Sequence, residues 1–126
     1  MKKIAIVIGH NAKSGGAVLA VEPATNEYAY WSIWGKALAE YSDDNVQFEI
    51  FNRLPSISYK DEIKEVYGRV DAWGADLSIE LHFNAANTAA KGAETLSSGS
   101  DGSMKLATII QNRTAELLGL AEKENR

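Results

Sequence analysis

The segment Ile4-Ala5-Ile6-Val7-Ile8 limits what this chain can fold into more than any other feature of the sequence. Four of its five residues are β-branched, which stiffens χ1 and favours extended backbone. No polar residue alternates with them, so the strand they form must be covered on both faces. A chain of 126 residues is long enough for one domain with a real core and too short for two. A doubly covered strand in such a chain implies a sheet with helices packed on either side.

The rest of the pattern agrees. A polar, glycine-containing loop runs from His10 to Asn26. Tyr30, Trp31, Trp34, Leu38 and Tyr41 then recur at helical spacing, with Thr25 or Asn26 as the N-cap and the aromatic members expected in the helix core. Val46 to Phe51 reads as a second strand, closed by Asn52-Arg53-Leu54-Pro55. Tyr59, Ile63, Val66, Tyr67, Val70 and Trp73 form an amphipathic stripe that Ser58 can cap and Gly74 ends. Ala75 to Phe83 is expected to be a third strand and Gly92 to Leu96 a fourth. Ser97 to Ser103 reads as a Ser/Gly loop, and a last helix is expected from Met104 to Leu118 with Gly119 as its stop. Strands alternating with helices give the expected class: α/β, a single domain over 1–126, with a mostly parallel open sheet flanked by helices on both faces.

Composition narrows the function. Apolar residues are 45% and charged residues 24% of the chain, ordinary proportions for a globular protein. The net charge is -4, and without a basic stretch to neutralise phosphates a general nucleic-acid binder is excluded. No run approaches the roughly 18 apolar residues of a membrane span. The start, Met1-Lys2-Lys3 before the apolar run, imitates a signal peptide, but the run is short and no small-residue cleavage site follows. It is read as strand, which implies synthesis in the cytoplasm. The chain has no cysteine, so any metal must be held by His, Asp or Glu.

Three residues carry the candidate chemistry. His10 follows the carboxyl end of the first strand, and His82 stands near the carboxyl end of the third. Ligands of open α/β sheets bind in the crevice at those strand ends. Glu27 opens the first helix, where the helix dipole favours its carboxylate. Two imidazoles and one carboxylate are the protein ligands of a common catalytic zinc site with a fourth position open to water. Blander roles stand beside this one. His10 fits a loop or capping residue, and Glu27 fits a carboxylate that simply complements the dipole. In the third strand Leu77, Ile79, Leu81 and Phe83 alternate with Asp76, Ser78, Glu80 and His82, which also describes an edge strand with one wet face. Glu80 shares its face with His82, because residues i and i+2 of a strand point the same way. The loop from His10 to Gly16 lacks the Gly-Lys-Ser/Thr ending of a phosphate loop.

Ile-Gly-His at 8–10, Asn-Glu-Tyr at 26–28, and Ser-Ile-Glu-Leu-His-Phe-Asn-Ala at 78–85 followed by Gly92-Ala93-Glu94 resemble the zinc-dependent type 3 family of N-acetylmuramoyl-L-alanine amidases. Leu118-Gly119-Leu120 fits the third helix of that family. The resemblance implies Zn2+ held by His10, Glu27 and His82, and hydrolysis of the amide between N-acetylmuramic acid and L-alanine in peptidoglycan. It further implies a second glutamate, acting as general base, on a late strand. No counterpart is found, so no catalytic residue is assigned; that glutamate and the last strand or strands are expected beyond Arg126. A phage-type lysin that is made in the cytoplasm and acts on the cell wall fits these expectations, and so does a partner-guided, truncated or otherwise exported form. The competing readings are a zinc exopeptidase, in which Arg53 or Arg69 would grip a terminal carboxylate, and a metal- or wall-binding module without turnover. Oligomeric state and peptidoglycan chemotype leave no trace in the sequence.

Overall fold

The computed structural model describes residues 1–19, 23–83 and 92–120. In chain order the elements are β1 (Lys2–Ile8), β2 (Val18–Leu19), β3 (Thr25–Asn26), α1 (Glu27–Ala39), β4 (Val46–Asn52), α2 (Tyr59–Trp73), β5 (Leu77–Leu81) and α3 (Asp101–Leu118). The chain divides into two compact units, Met1–Phe83 and Asn84–Arg126.

In the first unit β1 is the centre of a three-stranded sheet of order β4-β1-β5. Both pairings are parallel, and Ile8 is the partner of Asn52 on one side and of Leu81 on the other. The three strands therefore end level with one another. The apolar run behaves as its composition requires, since Ala5, Ile6, Val7 and Ile8 are all essentially sealed from solvent. Its two faces meet different helices. Ala5 and Val7 pack with Phe51 of β4 and with Val66 and Val70 of α2. Ile6 and Ile8 face α1, which comes so near at Gly35 that a Cβ there would lie 2.7 Å from Ile8 Cδ1. Each buried Val or Phe side chain in this core contributes about 1.5–3 kcal/mol.

The helices begin and end as their sequences suggest. The side chains of Asn26 and Ser58 accept the N–H groups of Ala29 and Asp61 at the starts of α1 and α2. Gly74 closes α2 in the left-handed conformation. Three expectations about this unit change. The third strand spans only Leu77–Leu81. The loop after His10 contains a small antiparallel pairing of β2 with β3. Trp34 and Tyr41 do not lie in the core of α1; both are exposed. Gly35 takes the sheet-facing position, which rotates its neighbour Trp34 outward at about 100° per residue, and Tyr41 lies past the helix end at Ala39.

The second unit is built on α3, which starts at Asp101 under an Ser100 cap, three residues before the expected position, and closes at Gly119. The expected strand at Gly92 to Leu96 is not formed; those residues carry no strand pairing. They are held instead by a buried side chain, with Gln111 Nε2 donating to the Ala93 backbone carbonyl at 2.8 Å and Gln111 Oε1 accepting the Thr95 side-chain hydroxyl at 2.9 Å. Residues 84–91, which follow His82 and Phe83 in the chain, lie outside the described residues.

Candidate metal centre

The parallel register delivers His10 and His82 to the same edge, two residues after β1 and one after β5. Glu27 reaches that edge from the first turn of α1. Its position is fixed by the loop before it: Glu27 N–H donates to the Ala17 carbonyl at 2.9 Å, and Tyr28 N–H to the Gly15 carbonyl at 3.0 Å. The β2–β3 pairing closes this loop, so a feature invisible in the hydropathy pattern places one of the three candidate ligands.

Glu27 is 2% exposed. Its Oε1 accepts the Phe83 N–H at 2.7 Å and stands 2.9 Å from His82 Nδ1. Its Oε2 accepts the Ala17 N–H at 3.1 Å and stands 3.3 Å from His10 Nε2. Burial works against its charge, but the Ala17 and Phe83 N–H groups and the neighbouring His82 and His10 hold its carboxyl below the ordinary value. One donor atom from each of His10, Glu27 and His82 lies within 4.8 Å of the others, and among the described residues this is the group that could hold a metal ion.

Backbone conformation serves the same arrangement. His10 adopts φ 65°, a left-handed conformation that histidine enters more readily than most residues. Asn11 supports the turn with its own side chain, whose Oδ1 accepts the N–H groups of Lys13 and Ser14 at 2.9 Å each. Gly16, at φ 77°, passes so close that a Cβ would stand 2.6 Å from both Glu27 Oε2 and His10 Cδ2. Gly9 lies equally close to His82, with a Cβ at that position 2.5 Å from His82 Cε1. The floor of the site is thus backbone at positions where side chains do not fit.

Residues 4–126 match the family profile described as N-acetylmuramoyl-L-alanine amidase. The chain belongs to that family. Members act on peptidoglycan, and the α/β fold with its parallel sheet is the one found in a solved relative. That relative is the catalytic domain of an endolysin targeting Clostridia difficile, 26% identical, with a TM-score of 0.76, and the match covers 99% of this chain and 77% of the other. No curated protein sequence matches at a comparable level. Among the described residues no helix of the amidase is long and apolar enough to cross a membrane.

The amidase donor set suits zinc on its chemistry, because it offers two imidazoles and a carboxylate and no other ligand type. Around it stand further polar groups. Glu80, which the sequence offers as a site-lining partner on the face of His82, does meet it: its Oε1 lies 2.9 Å from His82 Nε2, and its Oε2 accepts the Tyr67 hydroxyl at 2.8 Å, a contact the sequence does not suggest. Burial opposes the Glu80 charge, while His82, Tyr67 and Arg53 hold its carboxyl below the ordinary value. Burial and Glu80 together push the Tyr67 hydroxyl up. Glu80 chiefly, then Glu27, raise the His82 imidazole against the effect of burial. Neither arginine is available to grip a substrate carboxylate. Arg53 is buried between Glu62 and Glu80, and Arg69 is held by Glu65 and the Asn52 carbonyl.

Proposed function

We propose that this amidase is zinc-dependent, with His10, Glu27 and His82 as the protein ligands, and that it hydrolyses the amide between the lactyl group of N-acetylmuramic acid and L-alanine. The observation that carries the reading is the convergence of three donor atoms within 4.8 Å from three separate elements. Zinc held there would act as a Lewis acid on the scissile carbonyl and would lower the pKa of water towards about 7. The residues of the chain supply the rest. Buried Glu27 offsets the positive charge of the metal, and the Ala17 and Phe83 N–H groups keep its two oxygens in place. Glu80 holds the outer nitrogen of His82, fixing the ring and leaving Nδ1 towards Glu27.

The side chains of His10 and His82 are 33% and 41% exposed, an open aspect that suits a bulky polymer better than an enclosed small molecule. The family match spans residues 4–126 and so takes in nearly all of the first compact unit and all of the second, which supports reading both as parts of one amidase domain that acts on the cell wall in the manner of a lysin. No described carboxylate is assigned as general base, since Glu80 is already engaged by His82, Tyr67 and Arg53.

Elemental analysis of protein purified without chelator tests the metal, and peptidoglycan digestion tests the bond. About one zinc per chain, lost in His82→Ala, together with new N-terminal alanine in the digest, is the expected result. A folded, metal-resupplied protein without zinc would sink the first half of the reading. New reducing ends in place of N-terminal alanine would sink the second.

A further inference from the structure

Behind the three candidate ligands lies a buried polar network that the proposed mechanism does not use. Its hub is Glu62 on α2, 8% exposed. Glu62 accepts the Asn11 Nδ2 amide on both oxygens, at 2.9 and 3.0 Å, and accepts Arg53 Nη2 on Oε2 at 2.9 Å. Asn11 and Arg53 are themselves buried. Arg53 lies over the Tyr59 ring, 4.8 Å from its centroid, and its Nη1 stands 3.8 Å from Glu80 Oε1.

The two arms of this hub lead to the two histidines. Asn11 follows His10 directly and stabilises the turn in which His10 holds its positive φ. A left-handed non-glycine residue is strained and persists only where its surroundings impose it. Arg53 meets Glu80, and Glu80 holds His82 Nε2. A buried ionic group of this kind is weak grounds for stability, because desolvation offsets much of its attraction. What it does supply is fixed geometry.

We infer that Glu62 is a positioning residue for both histidines, setting the His10 turn through Asn11 and the His82 ring through Arg53 and Glu80. The inference rests on the reading of His10, Glu27 and His82 as metal ligands. Glu62→Gln keeps the shape of the side chain but removes its charge and presents an NH2 where the Asn11 amide also donates. Arg53 is then balanced by Glu80 alone and draws that carboxylate from His82.

The test measures zinc affinity by competition with a chromogenic chelator, and the visible spectrum of the Co2+-substituted protein. It compares wild type with Glu62→Gln and with Val66→Ala, a core truncation outside the network. Glu62→Gln is expected to weaken zinc binding about tenfold or more, within the range for outer partners of metal ligands, and to alter the Co2+ bands. Val66→Ala is expected to lower the melting temperature with both readouts unchanged. Should Glu62→Gln not fold, Asn11→Ser replaces it, since the serine hydroxyl still accepts from the turn but no longer reaches Glu62. Wild-type affinity and spectrum in the folded network variant overturn the inference and leave the metal centre standing. An equal loss in Val66→Ala also overturns it, as general destabilisation. Absence of zinc from the wild-type protein overturns both readings.

Discussion

His10 and His82 meet edge to face, with ring centroids 5.3 Å apart and planes at 79°, although 72 positions separate them in the chain. No local structure brings them together; the register of β1 against β5 does. The buried Glu27 carboxylate reaches both rings, with Oε1 2.9 Å from His82 Nδ1 and Oε2 3.3 Å from His10 Nε2, while the same two oxygens accept the Phe83 and Ala17 N–H groups.

Glu27 therefore has two duties that substitution can separate. Glu27→Gln loses the charge and keeps one acceptor oxygen, so one of the Ala17 and Phe83 N–H groups still meets an oxygen while the other faces the NH2. It should weaken zinc binding and cost the metal-free fold less than truncation does. Glu27→Ala leaves the Ala17 and Phe83 N–H groups unmet and should cost the metal-free protein at least about 2 kcal/mol. Urea denaturation in chelator decides the matter. Equal stabilities of Glu27→Ala and wild type would refute the structural duty.

Two glycines should respond in opposite directions. Gly16→Ala forces a Cβ against Glu27 and His10 at a positive φ, and should lower both melting temperature and zinc affinity. Gly68, inside α2 with nothing within 4 Å of a new Cβ, should gain about 0.5–1 kcal/mol as alanine with zinc affinity unchanged. Thermal melts and zinc titrations of the two variants check both signs.

The Asn11 amide foremost, and Arg53 after it, hold the Glu62 carboxyl below its ordinary value of 4.5. A depressed carboxylate stabilises the fold above the unfolded value, and the contribution disappears as pH falls through the folded one. The stability difference between wild type and Glu62→Gln should hold level from about pH 7 to about pH 5 and close on further acidification. Urea midpoints measured against pH give the curve. A difference that closes on the alkaline side instead would show that the ionised form is not the stabilising one.

Gln111, 2% exposed, fastens residues 93–95 to α3. Gln111→Leu fills the same space without either hydrogen bond and should cost about 1–2 kcal/mol. Subtilisin should then cut between residues 92 and 98 faster than in wild type. An unchanged digestion rate would mean that other contacts hold this segment.

Much of this was legible in the residues. The run Ile4–Ile8, the caps Asn26 and Ser58, and the stop at Gly74 announce elements through local chemistry, and the structure has them. His10 and His82 were legible as neighbours because strand ends in parallel sheets lie along one edge, and Glu27 because it opens the helix that starts there and stands in a family-like segment. Other features were not. The pairing of Val18 and Leu19 with Asn26 and Thr25 is two residues long, too short for any period to register. Gly92 to Leu96 looked like a strand by composition, but a strand needs a partner, and these residues satisfy Ala93 and Thr95 through the Gln111 side chain. Asn11 and Glu62 stand 51 positions apart, and neither residue type at its position suggests the other. Arg53 entered the exopeptidase reading as a residue that could grip a terminal carboxylate; only the packed structure shows Glu62 and Glu80 closing on it.

The level ends of β4, β1 and β5 carry a kinetic consequence. Arg53, His10 and His82 each follow one of these strands within two residues, so no hairpin or single helix can assemble the site ahead of the sheet. Long-range pairings of this kind form late and slowly. A ligand that bridges such residues finds little to hold in the transition state for folding. It should leave the refolding rate nearly unchanged and lengthen the lifetime of the folded protein, acting as a latch set after the door has closed.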